Sequence, residues 1–515
     1  MQETAQIDPA QLDHLNAAEL KALVSELLVR IDQDQRVITW KDAKLSKVTF
    51  ELAQLRRLKF GRGSEQMDAI QKPLFDESVE EDLAALGQDL EDLSTPAPDK
   101  NTKRAPKRTA LPAHLPRVEY RHEPESTTCA CGCALKRIGE DVSEKLDYAP
   151  GLFSVDRHIR GKWVCTQCET LIQAPVMPEI IDKGIPTSGL LAHLLVAKFS
   201  DHLPLYRQST IFGRAGLAIP RSTLASWVGV CGSKLQPLVD QLKAQVLTHA
   251  VLQADETPVA TLAPGTGKTH RSYLWAYATG EFESLRAVVY DFTPSRSGEH
   301  ARNFLGTWKG HLVCDDYSGY KDSFLKGVTE VGCMAHARRH FFELHVANKS
   351  VLAAEALDRI RQLYAIEAEI KTLKPPDRLE HRQRRSDPIA TRLHEWLKAQ
   401  RVLVPDGSVI AKAIDYSLNR WPALTRFLVD PALPIDNNHD ERQIRPWAVG
   451  KKNWLFTGTQ LAGERAAAIM SLIQTAKLNG HDPHAYLKDV LARLPTQPAS
   501  KLGELLPQNW KLAAS

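Results

Sequence analysis

Three acidic stations carry the chemistry open to this 515-residue chain. The first is Ala254-Asp255-Glu256-Thr257-Pro258 and the second is Val313-Cys314-Asp315-Asp316-Tyr317. The third is Asn437-Asn438-His439-Asp440-Glu441-Arg442. Carboxylates on three separate segments suit a two-metal site, in which divalent ions clamp the attacking and leaving oxygens of a phosphodiester. The chain holds 62 acidic residues, so a lone Asp or Glu carries no signal. The pattern around each station does.

The elements that must position these residues follow from periodicity. After Thr248 the pattern changes from helical to strand-like. It predicts strands over 249–254, 272–279 and 286–292, a helix over 297–305 and a fourth strand over 311–314. Strand-strand-strand-helix-strand opens an RNase H-like fold, where one acid ends the first strand and another follows the fourth. Asp255 and Asp315 occupy those places, and an all-oxygen, partly hydrated site between them suits magnesium or manganese. Apolar residues at Leu357, Ile360, Leu363, Tyr364 and Ile370, then Leu393, Trp396 and Leu397, predict a large all-helical insertion. Glu441 is expected on a late helix returning to the sheet. Adjacent helical residues point about 100° apart, so only one of Asp440 and Glu441 is expected to face the metals. Arg442, Arg445, Lys451 and Lys452 beside this cluster suit contacts to a phosphate backbone.

Upstream, Leu20, Val24, Leu27, Ile31, Ile38, Leu45, Val48, Leu52 and Leu55 share a three-four register broken by Asp34 and Lys41. That pattern fits a coiled-coil zipper pairing two protomers, or one amphipathic helix docked on the body. Asp76 to Asp92 holds eight acidic residues and no basic one, and Lys100, Lys103, Arg104, Lys107 and Arg108 follow. With Pro73, Pro96, Pro98 and Pro106, this stretch is expected to be a solvated linker.

Cys129, Cys131 and Cys133 face the Cys165-Thr-Gln-Cys168 pair across a short segment, the arrangement of a structural zinc knuckle or ribbon. Two or three of the first three bind the metal in this reading, with Cys129 or Cys131 pairing with Cys133. Ile219-Pro220-Arg221-Ser222-Thr223-Leu224 looks like the start of a recognition helix, with Ser222 or Thr223 as cap and Arg221 facing DNA.

The net charge of +4 is too small to announce a nucleic-acid binder by itself. No run approaches the ~18–20 apolar residues of a membrane span, and no signal peptide is read before Asp8. A cytoplasmic, nucleoid-associated protein is expected, in which cysteines serve as ligands or buried thiols rather than disulfides.

The expected architecture is multidomain α/β: an RNase H-like core with an all-helical insertion, preceded by coiled-coil, zinc-binding and helix-turn-helix-like modules. The boundaries are a zipper helix at 1–60, a flexible charged linker at 61–110, a zinc module at 111–184 and a helical DNA-binding segment at 185–246. The core follows at 247–345 and 435–492 around an insertion at 346–434, and a tail occupies 493–515.

The segments Ala254-Asp-Glu-Thr-Pro258, Asp315-Asp-Tyr-Ser-Gly-Tyr320, Gly332-Cys-Met-Ala-His-Ala-Arg-Arg339, Asn437-Asn-His-Asp-Glu-Arg442 and Gly450-Lys-Lys-Asn-Trp-Leu-Phe456 resemble the insertion sequence 66 family of DDE transposases. Asp201-His-Leu-Pro-Leu-Tyr-Arg207, the cysteine module and Lys59-Phe-Gly-Arg62 extend the resemblance over nearly the whole chain. It implies that Asp255, Asp315 and Glu441 are the metal-binding triad, with Glu256 and Asp316 as neighbours. Asp316 stands where the family usually has Gly, and the first cysteine cluster is compressed. Cys333 and His336 are expected to support the active site, through a hydrogen bond to the second Asp.

The implied activity is magnesium-dependent cleavage at transposon ends, then transesterification into target DNA. A homodimer or higher oligomer and accessory proteins of the same element are implied as partners. Two competing readings are a DNA-binding regulator with an inactive nuclease fold, and a nuclease for RNA–DNA hybrids. The three intact acidic stations weigh against the first, and the front-end modules against the second.

Overall fold

The computed structural model describes residues 17–60, 71–93, 111–149, 152–182, 184–263 and 268–511. The chain divides into two bodies, residues 1–63 with 86–105, and residues 64–85 with 106–515.

In the first body, helix α1 (Ala17–Phe60) runs 44 residues, about 66 Å at 1.5 Å per residue. Val48, Leu52 and Leu55 are buried along it, whereas Ile31, Ile38 and Leu45 are exposed at seven-residue intervals. Leu28, Val29, Trp40 and Phe50 are exposed as well, so the uncovered apolar surface is wider than one seam. The side chains of Leu20 and Val24, and of Lys59 to Arg62, lie outside the described residues.

The linker expectation fails for part of its span. Helix α2 (Gln71–Leu93) crosses the acidic run, and its residues up to Ala85 belong to the second body. Val79 and Leu86 are buried at helical spacing, and so are Glu77, Glu81 and Asp82. Those acids are paired rather than solvated. Lys198 bonds Glu77 and stands 3.0 Å from Glu81, while Arg465 reaches Glu81 at 3.1 Å and Asp82 at 2.8 Å. Gly229 permits the contact, because a Cβ there would lie 2.2 Å from the Glu81 carbonyl oxygen.

The next sheet is built on β3 (Leu152–Cys165), flanked by parallel β1 (Arg117–His122) and antiparallel β2 (Leu135–Ala149). The short β4 (Leu171–Gln173) extends the β1 side. Helices α3 (Ser188–Phe199), α4 (Leu205–Arg214) and α5 (Arg221–Val246) follow. Pro220 caps α5, so Ser222 and Thr223 lie inside its first turn instead of capping it. Leu224, Trp227, Val228, Cys231, Leu235 and Leu242 sink α5 into the core, and Arg221 stays exposed at its start. Proline suits such a terminus, where the first N–H groups lack intrahelical partners.

The central sheet contains β5 (Val251–Ala263), β6 (Lys268–Thr279), β7 (Val288–Thr293), β8 (His311–Cys314) and β9 (Thr329–Gly332), in the order β7-β6-β5-β8-β9. The first three strands are antiparallel, and β5, β8 and β9 are parallel. Between β7 and β8, helix α6 (Gly298–Leu305) provides the crossover that a parallel strand requires. Side chains alternate between two cores. Leu252, Ala254, Leu312 and Cys314 join the larger one, and Val251, Val313 and Val331 face the other.

That second core is helical. It is built from α7 (Met334–Asn348), α8 (Val351–Ile370), α9 (Asp387–Leu403) and α10 (Val409–Asn419). Arg382 is fully buried among them, bonded twice to Glu367 and to the carbonyls of Phe427 and Asp430.

Helix α11 (Asn438–Trp454) then returns across β5 and β6. Helix α12 (Gln460–Leu478) covers β7, whose edge amides at Val288 and Tyr290 donate to Thr475 and Ser471. That contact satisfies an exposed strand edge. After α13 (Pro483–Arg493), the expected tail packs instead as short 3-10 turns, with Leu505, Leu506 and Trp510 buried.

Candidate active site

Asp255 lies within β5, and Asp315 follows the last residue of β8. The parallel register pairs Val251 with His311 and Gln253 with Val313. The same offset, carried two residues further, sets Asp255 beside Asp315 on the helical face of the sheet. Each carboxylate accepts a nearby main-chain N–H: Glu256 N donates to Asp255 and Tyr317 N to Asp315, both at 2.9 Å.

Glu441 comes from the first turn of α11, which is anchored on β5. Asn437 is fully buried, with its Nδ2 donating to the Ala254 carbonyl at 2.8 Å. Gln253 Nε2 donates to Asn437 Oδ1 at 3.3 Å and to the Asp436 carbonyl at 3.2 Å. These bonds bring the third station to the strand that bears the first. The Asp255 carboxyl is pushed up to about 8, by burial first and then by the negative charges of Glu256, Asp315 and Glu441. The three expected residues therefore share one electrostatic field.

The two neighbouring acids are held elsewhere. Glu256 faces away from Asp255, with its side chain only 1% exposed. Arg296 Nε donates to it at 2.8 Å and the Tyr320 hydroxyl at 3.1 Å. Asp316 stands 3.0 Å from Arg420 Nη1 and 3.8 Å from Lys321. Asp440 is the neighbour that the sequence set against Glu441 as the acid to face the metals. It is fully buried, neither oxygen has a hydrogen-bond partner, and its carboxyl is pushed well up by burial and by Asp255, Glu441 and Glu256.

Cys333 caps α7 and His336 lies in its first turn. Their place differs from the expectation in one respect: His336 Nδ1 faces Glu441 Oε1 at 3.8 Å rather than bonding Asp315. Arg339 Nη2 stands 3.6 Å from the other Glu441 oxygen. Arg338, Arg339, Arg361 and Asn438 line an open cleft beside this point. Among the basic residues singled out in the sequence, Arg442, Arg445 and Lys452 are exposed on α11. Lys451 is half-buried and donates to the Thr257 hydroxyl at 2.8 Å and the Pro258 carbonyl at 2.7 Å, so it braces β5.

At the outer end of β3, the sulfurs of Cys129, Cys131, Cys165 and Cys168 all lie within 4.8 Å of one another. Cys129–Cys168 is 3.3 Å, and Cys131 is 3.6 and 3.8 Å from Cys165 and Cys168. Four thiolates about 2.3 Å from zinc span edges of about 3.8 Å, so the donor set and size fit that ion. The group takes Cys129 and Cys131 and leaves out Cys133, contrary to the expected pairing. The turn explains this: Gly132 has φ +85°, and its N–H and that of Cys129 bond to Cys129 O and Cys133 O. The Thr170 hydroxyl, 3.2 Å from Cys168, holds that thiol down at about 6, toward the ligating thiolate.

Comparison with known proteins gives four matches in chain order. Residues 183–465 match "Transposase IS66 family" and residues 471–508 match "IS66 C-terminal element". Residues 126–169 match "zinc-finger binding domain of transposase IS66", and residues 47–119 match "Transposase C of IS166 homeodomain". The uncharacterized protein y4qI of Sinorhizobium fredii (strain NBRC 101917 / NGR234) is 35% identical, over 96% of this chain and 94% of its own length. From the same strain, the uncharacterized protein y4jD is 36% identical, over 90% of this chain and 94% of its own. The cysteine cluster and the zinc-finger match together support structural zinc. Among the described residues, no helix is long and apolar enough to cross a membrane. With matches that run from the N-terminal helices to the C-terminal element, the chain belongs to the IS66 transposase family.

Proposed function

We propose that this protein is the transposase of an insertion sequence, binding the terminal inverted repeats and catalysing metal-dependent cleavage and strand transfer of DNA. The observation that carries the reading is Asp255 on β5 and Asp315 just past the end of parallel β8, in the same register, with Glu441 on a helix bonded to β5. Strand order β7-β6-β5-β8-β9, with three antiparallel strands and then parallel ones, supports an RNase H-like core with a helical insertion between β9 and α11.

The residues present fit divalent cations. Several carboxyls share one buried field that disfavours their joint ionisation, and a cation relieves it. Asp255, Asp315 and Glu441 would hold magnesium or manganese, which supplies an activated water and charge neutralisation at the phosphate when bound. The chain's own contribution is placement. Asn437 fixes Glu441 against β5, and Arg296 and Arg420 keep Glu256 and Asp316 out of the site. Arg338, Arg339, Arg361, Arg442, Arg445 and Lys452 offer positive charge to the DNA backbone beside the acids.

In the same reading, the zinc module and the exposed start of α5 recognise the transposon ends. The exposed apolar positions of α1 pair two protomers. The deciding test is magnesium-dependent cleavage of DNA bearing the element's inverted repeats, with wild type beside Asp255→Asn. Breakage at the repeat boundary by wild type alone supports the assignment. Equal breakage by both proteins removes it, and binding with no breakage by either favours a regulator.

A further inference from the structure

Cys333, His336 and Glu441 bring one sulfur, one imidazole nitrogen and one carboxylate oxygen within 4.8 Å of one another. They come from two elements distant in sequence, the start of α7 and the start of α11. His336 Nδ1 and Glu441 Oε1 face each other at 3.8 Å, and both atoms are buried with no hydrogen-bond partner. Cys333 Sγ accepts the Asn437 main-chain N–H at 3.2 Å; burial pushes the free thiol up to about 12, and a bound cation would displace its proton. Edges between sulfur, nitrogen and oxygen around tetrahedral zinc are about 3.3–3.6 Å, so a small inward shift closes the group on an ion.

We propose that Cys333, His336 and Glu441 form a second zinc-class site, separate from the four-cysteine cluster, with three protein ligands and an open fourth position. Thiolate and imidazole select zinc over magnesium, whose preferred ligands are oxygens. The site needs one rearrangement. A metal on Nδ1 puts the ring proton on Nε2, where Arg339 Nη1 now stands 3.5 Å away, so the half-exposed Arg339 side chain swings outward. Zinc here holds Glu441 on the α7 side and draws it from Asp255 and Asp315. This competition rests on Glu441 being a magnesium ligand in the proposed function; the zinc site itself does not.

The test counts zinc. Wild type, His336→Ala and the near-isosteric Glu441→Gln are equilibrated with zinc chloride, desalted and assayed for zinc per chain. Each variant should hold one equivalent fewer than wild type, with circular dichroism unchanged. Equal zinc content in all three proteins would overturn the site. A second arm follows wild-type cleavage in magnesium while zinc is added and then chelated. Reversible inhibition is expected as the second equivalent fills. If that equivalent binds and cleavage is untouched, Glu441 leaves the magnesium site while the zinc site stands.

Discussion

Asn437 donates its side-chain amide to the carbonyl of Ala254, the residue before Asp255, at 2.8 Å. A helix that follows some 180 residues later is thereby pinned to the central strand, and Glu441 lies one turn beyond the pin. Asn437→Ala leaves a buried carbonyl and the Gln253 amide short of partners, at a cost of about 1–3 kcal/mol. Misplacing a metal-binding group by about 1 Å costs on the order of 100-fold in rate. Urea denaturation beside repeat-end cleavage should therefore show a modest stability loss and a much larger activity loss. Unchanged cleavage at reduced stability would make Asn437 a packing residue only.

Without metal, the Asp255 carboxyl stands at about 8 against an ordinary 3.8, because burial and then Glu256, Asp315 and Glu441 oppose its ionisation. A raised carboxyl contributes stability that is fully present below its unfolded pKa and is lost as pH climbs through the folded one. The melting temperature of metal-free protein should fall as pH rises from about 4 to 8. Magnesium should flatten that fall, and so should Asp255→Asn, which removes the charge but also the cleavage. A metal-free melting temperature indifferent to pH over this range would contradict the shared field.

The parts of this site made by local pattern were legible in the chain. Alternation marked β6, β7 and β8 within a few residues and the start of β5, but β5 runs on to Ala263, so Asp255 lies within it rather than at its end. Ser297 announced the start of α6, where its hydroxyl accepts from Glu299 N. What the pattern concealed depends on distant partners. The acids of residues 77–82 look solvated until Lys198 and Arg465, more than 100 and 380 positions away, are folded against them. The spacing of Val79, Leu83, Leu86 and Leu90 was the available sign of a helix there. Cys129, Cys131 and Cys133 would share one face of an extended strand, and only the left-handed turn at Gly132 parts the third from the other two. Asp440 and Glu441 are adjacent carboxylates of like chemistry, and the fold shows which is enclosed: Asp440 is fully buried and Glu441 only partly.

Arg296 and Glu256 form an ion pair on the sheet face opposite Asp255. Arg296→Ala leaves a buried carboxylate with the Tyr320 hydroxyl as its remaining hydrogen-bond donor. Removing one partner of a buried pair costs about 3–5 kcal/mol, and the 43% exposure of Arg296 puts the expected loss at the lower end. Adding Glu256→Gln should return much of that stability, because the stranded charge disappears. A double-mutant cycle in chemical denaturation measures the coupling. If the double variant is as unstable as the sum of the two singles, the pair is not coupled as the geometry requires.

The zinc module should come apart unevenly when its metal is stripped. The inner half of the β2–β3 hairpin is held by Leu146, Phe153 and Val155, which sit in the large core with the helices that follow. The outer end, around Leu135 and Cys165, has a small cluster of its own: Cys129, Leu135 and Cys165, with Cys133, Trp163 and Ile172 beside them. So little apolar surface cannot offset the entropy of ordering that end once the cation that gathers the four sulfurs is gone. Hydrogen exchange after exhaustive chelation should thus speed up at Trp163 and Cys165 while the amides of Leu146 and Val155 stay protected. Loss of protection along the whole hairpin would mean that zinc holds the sheet itself. No change at either end would remove the cysteine cluster from the zinc assignment, and with it the part that the module is given in recognising DNA ends.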